Sequence, residues 1–276
     1  TPPRNRRQRQ MCIRDSTTDV RTDAPRQSND ATSGAHALLA SVVERLEWLE
    51  QANERALAQA SELIWDTLTT DRIVHVAGSG HSTLFALETF YRAGGLAAVK
   101  PRWHPMLMPL HGARLSTVNE RLPAIGGELV RSAHVDVGDV VVVFSHSGVN
   151  PVPVEIAEAA HASGADVVAV LSLEHNRSIP SRHERDLRLP DVADVVIDTG
   201  GPVGDASYES APGARKVAPL STILGVYAWD AILARLADRA AVAGIELPIW
   251  VSLNVPDGDS SADTLTDRYA GRIPEL

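Results

Sequence analysis

The segment IVHVAGSGHS at 73–82, running into an apolar-periodic stretch from Thr83 to about Ala93, constrains this chain more than any other. Ile73–Ala77 predicts a buried strand, and the small residues after it predict a tight loop opening a helix. Glycine lets such a loop turn sharply and approach a ligand. Ser82 is placed to cap the helix, whose free N–H groups and positive dipole end would face whatever the loop holds. The design recurs at DVVVVF (139–144), SHSG (145–148) and a helix from about Pro151. Two strand ends, each presenting hydroxyls and unpaired N–H groups, predict one phosphate held from two sides.

The rest of the chain alternates in the same way. Leu38, Leu39, Val42, Val43, Leu46 and Leu49, then Ala56, Leu57, Ala60, Leu63 and Ile64, recur at helical spacing, as one long helix or two. Gly94-Gly95 closes the helix after the first loop. Short strands are expected at Leu96–Val99, Val167–Leu171 and Val195–Ile197, and helices at Asn119–Ala133, Val152–Ala162 and Ala218–Ala243. Residues 101–115, 172–190 and 206–216 read as loops, and the tail has little periodicity beyond Ile249–Leu253. Strands alternating with helices predict a doubly wound parallel sheet, in which ligands sit beyond the strand carboxyl ends at a switch in strand order.

The N-terminal RRQRQMCIRDS (6–16) reads as the in-frame translation of a common transposase sequencing adapter and is set aside as non-native. It carries the chain's one cysteine, Cys12; without residues 1–16, 21 basic residues face 34 acidic ones, a balance of −13. Residues 17–33 are polar and aperiodic and read as a mobile leader, leaving 34–276 as one domain with a helical segment at 34–70. An acidic chain lacks the basic face a nucleic-acid partner requires. A thiolate metal site or disulfide framework is excluded once Cys12 is removed. No apolar run approaches the roughly 18–20 residues needed to cross a bilayer, and a cytoplasmic protein is the expectation.

Familiar phosphate fingerprints fail. Thr83 stands where G-x-G-x-x-G needs its third glycine, and Lys100 stands near the end of the second strand in place of a ribose-binding acid. There is no Gly-Lys-Ser/Thr loop. Ser145 occupies the first glycine position of a G-x-S-x-G elbow around Ser147, so a serine hydrolase is poorly supported.

Taken together, GSGHS (78–82) and FSHSGVN (144–150) resemble the SIS, or sugar isomerase, family. The likeness extends to FYRAGG (90–95), SLEHNRSIPSRH (172–183), VVIDTGGPVGDA (195–206) and the tail SLNVPDG…YAGRIPEL (252–276), and is greatest to an uncharacterised bacterial subgroup of stand-alone SIS proteins. The resemblance implies an α/β fold, a three-layer α-β-α sandwich with a five-stranded parallel sheet, and a homodimer or homotetramer with sites near subunit contacts. It implies a sugar phosphate as ligand and requires no cofactor or metal. By position it places Ser79, Ser82, Ser145, Ser147 and Asn150 on the phosphate, with Gly78, Gly80, His81, His146 and Gly148 completing the loops. Hydroxyls and N–H groups can hold a dianion without lysine or arginine, each charge-assisted bond contributing about 1.5–3 kcal/mol.

An aldose–ketose isomerase working through an enediol needs a base over C1 and C2, usually a carboxylate, and often a histidine to open the ring. Glu88 is the first candidate, six residues past Ser82 and so about 9 Å along a helix, although an ion pair with Arg92 would equally explain it. Glu120, expected in the first turn of a helix, is the alternative base. His111, His146, His175 and His183 fall in loops, with His111 the candidate for ring opening; His175, Asp205 and Ser221 are candidate sugar contacts. His104, His111 and Glu88 make a weak zinc set. SIS domains also serve as sugar-phosphate lyases or etherases and as non-catalytic sensors, and both remain as alternatives.

Overall fold

Valine-rich runs build the sheet, as they should where both faces are covered. The structure, a computed structural model, describes residues 34–256 and 258–276; the adapter-like stretch and the leader lie outside the described residues. Among these, five segments form one parallel sheet: β1 (Val74–Gly78), β2 (Val99–Arg102), β3 (Val140–Phe144), β4 (Asp166–Leu171) and β5 (Val195–Asp198), in order β2-β1-β3-β4-β5. A small antiparallel pair forms from β6 (Ala206–Tyr208), inside the expected loop at 206–216, and β7 (Val217–Pro219), which takes the start of the helix expected from Ala218. The helices are α1 (Gly34–Ala52), α2 (Glu54–Thr69), α3 (Thr83–Glu88), α4 (Ala113–Asn119), α5 (Ile125–Arg131), α6 (Pro151–Ala162), α7 (Leu173–Ser178), α8 (Ser221–Ala243) and α9 (Gly258–Tyr269). None is long and apolar enough to cross a membrane.

Alternation along each strand separates two cores. Val74, Val76, Val140, Val142, Phe144, Val168 and Val170 pack under α1, α2 and α8. Ala77, Val141, Val143, Val167, Ala169 and Leu171 pack under α5 and α6. The result is the α-β-α sandwich. After β1 the chain crosses outward to β2, then returns past β1 to add β3 on its other side. The order therefore switches between β1 and β3, the two strands that carry the serine loops. Their register pairs Gly78 with Phe144, so Ser79 and Ser145 leave the sheet at the same level on strands about 4.8 Å apart.

Several sequence expectations are corrected. β2 starts at Val99, while Leu96 makes a single bridge to Ile249 and Ala97-Ala98 form a buried turn packed with Trp250, Tyr269 and Ile273. The helix after the first loop ends at Glu88, short of Ala93. Ser82 does not cap it: the chain enters through a 3-10 turn at Gly80–Ser82, and Ser82 has helical backbone angles and makes no capping bond. The helix expected over 119–133 is broken because Pro123 disfavours helical geometry before it and Ala124 takes φ 72°. Glu120 consequently follows the C-terminus of α4. The pair Gly126-Gly127 lets α5 approach α6, since a Cβ on Gly126 would lie 2.3 Å from the Val152 carbonyl. α7 and α9 arise in segments read as irregular.

The long leading helix divides at Asn53. Its buried amide donates to the carbonyls of Leu49 and Asp198, both at 2.8 Å, and its Oδ1 accepts the Asp198 N–H at 2.8 Å. A side chain thus pairs with the end of β5 much as another strand would. Asn53→Ala should cost about 2–3 kcal/mol, because it deletes these bonds and strands buried backbone groups. The midpoint of urea unfolding would report this; an unchanged midpoint would show that the contact contributes nothing.

Candidate functional site

Both serine loops use the same backbone device. In the first, Ser79 is extended and Gly80 takes φ 60°; in the second, Gly148 takes φ 60°. That conformation favours glycine. At Gly148 space is tight as well: a Cβ would stand 2.6 Å from Leu171 Cδ1, which would have to move. The second loop is tied internally and to its surroundings. Gly148 N–H donates to Ser145 Oγ (3.0 Å), Asn176 Nδ2 to the Ser147 carbonyl (2.7 Å), and Arg182 N–H to the Val149 carbonyl (2.8 Å).

One carboxylate touches both loops. Ser79 Oγ donates to Glu120 Oε2 at 3.4 Å, and Gly80 is so near that a Cβ there would lie 3.2 Å from the same oxygen. From the second loop the Asn150 amide bonds Glu120 and accepts from Arg182 Nη1 at 3.1 Å, bridging the acid to a guanidinium. Burial raises the Glu120 pKa above the usual carboxylate value; Ser79, Arg121, Arg182 and Asn150 oppose the shift. A half-buried acid that holds its proton more tightly than usual suits proton transfer.

The strand ends also enclose a cavity of about 10 Å³, which neither Glu120, Ser79 nor Ser147 lines. Ser82 from the first loop, Ser145 and His146 from the second, Thr199 after β5 and Ser221 at the start of α8 line it, above Phe85 and Phe144. These two rings stack at 4.2 Å. His146 lies against His175 with ring centroids 4.8 Å apart, and its Nε2 is 3.1 Å from the Pro202 carbonyl. That contact makes Nε2 the donor and leaves Nδ1 a buried lone pair with no partner among the described residues. Burial, and then His146, lower the His175 pKa, which favours a neutral ring. Asp205 accepts from the N–H groups of Leu220 and Ser221 and from Ser221 Oγ, at 2.7–2.9 Å. It fixes the start of α8 and holds Ser221 at the cavity wall.

Other candidates stand apart. Glu88 pairs with Arg92 and bears electrostatically on Asp230 of α8; no hydrogen bond joins it to either serine loop. His81 and His111 are exposed. His183 is buried against Glu158 of α6, at 3.5 Å. Among the described residues no three His, Cys, Asp or Glu side chains are spaced to hold a metal ion, so His104, His111 and Glu88 do not converge. Thr199 and Arg182 were missed by sequence reasoning. Thr199 was findable, being the first residue beyond a strand carboxyl end; nothing local marks Arg182, which reaches Asn150 from 32 residues away.

Residues 38–172 match the SIS domain family. The chain is 38% identical over 218 residues to the UPF0309 protein lin2794 of Listeria innocua, covering 79% of this chain and 88% of that one. This chain belongs to the UPF0309 family. A second UPF0309 relative, BH0227 of Halalkalibacterium halodurans, is 37% identical over 237 residues, covering 85% of this chain and 94% of its own. Phosphoheptose isomerase GmhA from Neisseria gonorrhoeae has a similar solved structure, with TM-score 0.52 and 17% identity over 74% of the UPF0309 chain and 97% of GmhA. At that identity the likeness is one of fold.

The burial of Glu120 has a signed consequence for this UPF0309 protein. A carboxyl whose folded pKa lies above its unfolded value destabilises the fold as pH rises from the unfolded value through the folded one. Glu120→Gln should therefore be more stable than the parent at pH 7, and the advantage should vanish below the usual glutamate value of 4.5. Thermal melts across pH would measure it. A variant less stable at pH 7 would mean that the bonds to Ser79 and Asn150 outweigh desolvation.

Proposed function

We propose that this chain binds a phosphorylated sugar at the β1/β3 switch point and interconverts its aldose and ketose forms through an enediol, with Glu120 as the base. The observation that carries this reading is Glu120 itself, held between Ser79 of one loop and Asn150 of the other. The phosphate would lie in the loops, bound by Ser79, Ser82, Ser145 and Ser147 and by loop N–H groups. Glu120 would take the C2 proton of the aldose and return it to C1. Its raised pKa lets the same group act as base and then as acid. His146 Nδ1, without a partner among the described residues, is suited to a hydrogen bond with a sugar hydroxyl, and the His146–His175 stack to hold that ring in place. A fold shared with a phosphoheptose isomerase is compatible with the chemistry without naming the sugar.

Charge supports the same reading. Among the groups that bear on Glu120, Arg182 is a second cation beside Arg121, and its bond to Asn150 keeps it at the mouth of the second loop. We also read the exposed apolar side chains of Leu84 and Leu87 on α3 and Leu115 and Val118 on α4 as contacts to a second copy. Light scattering would test this through a dimer or tetramer mass.

The decisive experiment incubates the protein with hexose, amino-sugar and heptose phosphates in heavy water. Deuterium entering C2 supports an isomerase; binding without exchange would replace it with a sensor, and cleavage at an ether or amine with a lyase. Glu120→Gln should lower exchange by about 10²–10⁴-fold while preserving binding, and Glu88→Gln should leave exchange near the parent rate. The reverse outcome would move the base to Glu88. Ser147→Ala should weaken sugar-phosphate binding about tenfold or more.

A further inference from the structure

Two buried cations on β2 lie side by side without an ion-paired acid: Lys100, opposite His75 toward the amino ends of the strands, and Arg102, which ends β2 opposite Ala77 and reaches back to His75. Lys100 and Arg102 are two residues apart on β2, and so project to the same face; they are 7% and 5% exposed. Both donate to one carbonyl, that of Ala133: Lys100 Nζ at 3.3 Å and Arg102 Nη2 at 2.6 Å. Arg102 Nε also donates to His75 Nδ1 at 2.9 Å. A guanidinium only donates, so Nδ1 carries the lone pair and Nε2 the proton, directed at Asp139 Oδ2 3.0 Å away. His75 is therefore neutral; burial above all, and then the Arg102 charge, hold its pKa near 4 against the pull of Asp139.

Asp139 is already engaged, accepting from the N–H groups of Ile73 and Asp136 as well as from His75. Among the described residues, no carboxylate forms an ion pair with Lys100 or Arg102. Two desolvated cations sharing one neutral oxygen are an expensive arrangement, and burial pushes both toward their neutral forms, Arg102 to about 10. The acids that bear on them are Asp139, Asp136 and Glu275; the last two are exposed and hydrated.

Lys100, His75 and the engaged carboxylate of Asp139 border a cavity of about 260 Å³ at the amino ends of β1 and β3, with Arg72, His134, Asp136 and Arg272 around it; Arg102 lies behind Lys100 and does not reach its wall. Asp71, also on its wall, is held by Arg268 and Arg272. The volume falls just below that of usual organic-ligand pockets, roughly 300–1,000 Å³, and suits a small oxyanion. We propose that this cavity is a second anion site, taking inorganic phosphate or a compound that ends in a phosphate group, with Lys100 at its base and Arg72 at its rim. An anion there supplies the counter-charge that Lys100 lacks. One strand length, about 15 Å, separates it from the serine loops, so both sites can be filled at once. The inference is independent of what the loops bind.

Equilibrium dialysis with labelled inorganic phosphate, at ionic strength matched with chloride, tests it on the parent, Lys100→Met, Arg72→Ser and Ser79→Ala/Ser147→Ala. The parent should bind two phosphates per chain, and Lys100→Met and the serine double variant one each. Arg72→Ser should weaken the second site about tenfold. Arg72 is exposed, so this variant decides the matter should Lys100→Met fail to fold. Binding by Lys100→Met or Arg72→Ser equal to the parent in number and strength would overturn the proposal. If the parent binds one phosphate, lost in Lys100→Met and kept in the serine variant, the second site stands and the serine-loop reading falls.

Discussion

The parallel pairing of β1 with β3, in register from Val74 with Val140 to Gly78 with Phe144, is the constraint on which the site depends. Parallel neighbours cannot be joined by a tight turn, so each strand must lead into a crossover. The β1 crossover leaves toward β2 and the β3 crossover toward β4. The loops part, and a cleft opens where they diverge. Its floor is held by the stacked rings of Phe85 and Phe144. Gly225 lets α8 close over that floor, since a Cβ there would stand 2.5 Å from the Phe85 ring. The core and the site are therefore one packing problem: what positions the hydroxyls also seals the sheet.

Within that cleft the donors are mostly neutral. Pro151 and Pro153 remove two N–H groups from the first turn of α6, so this helix offers an anion less than its position implies. Ser82 does not cap α3, which leaves its hydroxyl at the cavity. In the proposed site hydroxyls would therefore carry much of the work that helix termini carry elsewhere. Glu120 is compatible with such surroundings because Ser79 and Asn150 offset part of its desolvation. A lysine in its place would bind a phosphate more strongly, but it would offer no base.

The parts of the site that were legible in the sequence are those set by local rules. Continuous valine runs mark β3 and β4, and a small-residue loop after a strand marks each serine turn. Asp205 and Ser221 follow the ordinary logic of a turn acid and a helix start. What escaped depends on distance. Glu120, Asn150 and Arg182 meet from three segments, and no periodicity announces a meeting. Leu96–Ala98 looked like a strand because burial alone selects the same residue types. α9 was missed because its buried residues, Ala262 and Tyr269, are too few to make a period.

The two ends of the sheet differ in how charge is handled. At the carboxyl ends the half-buried acid Glu120 sits among hydroxyls; toward the amino ends Lys100 is buried on a strand at the sheet's edge, backed by Arg102. Packing alone does not call for cations there, since apolar residues of similar volume commonly serve as well or better. Nor does the chain's overall charge of −9 forbid an anion, because fields from exposed acids are screened over about 8 Å in physiological salt. Within that radius the short-range arrangement decides. There the exposed acids lose little by staying in water, whereas buried Lys100 gains from an oxyanion that enters. The difference in desolvation, rather than the sum of charges, makes the amino end of this sheet receptive.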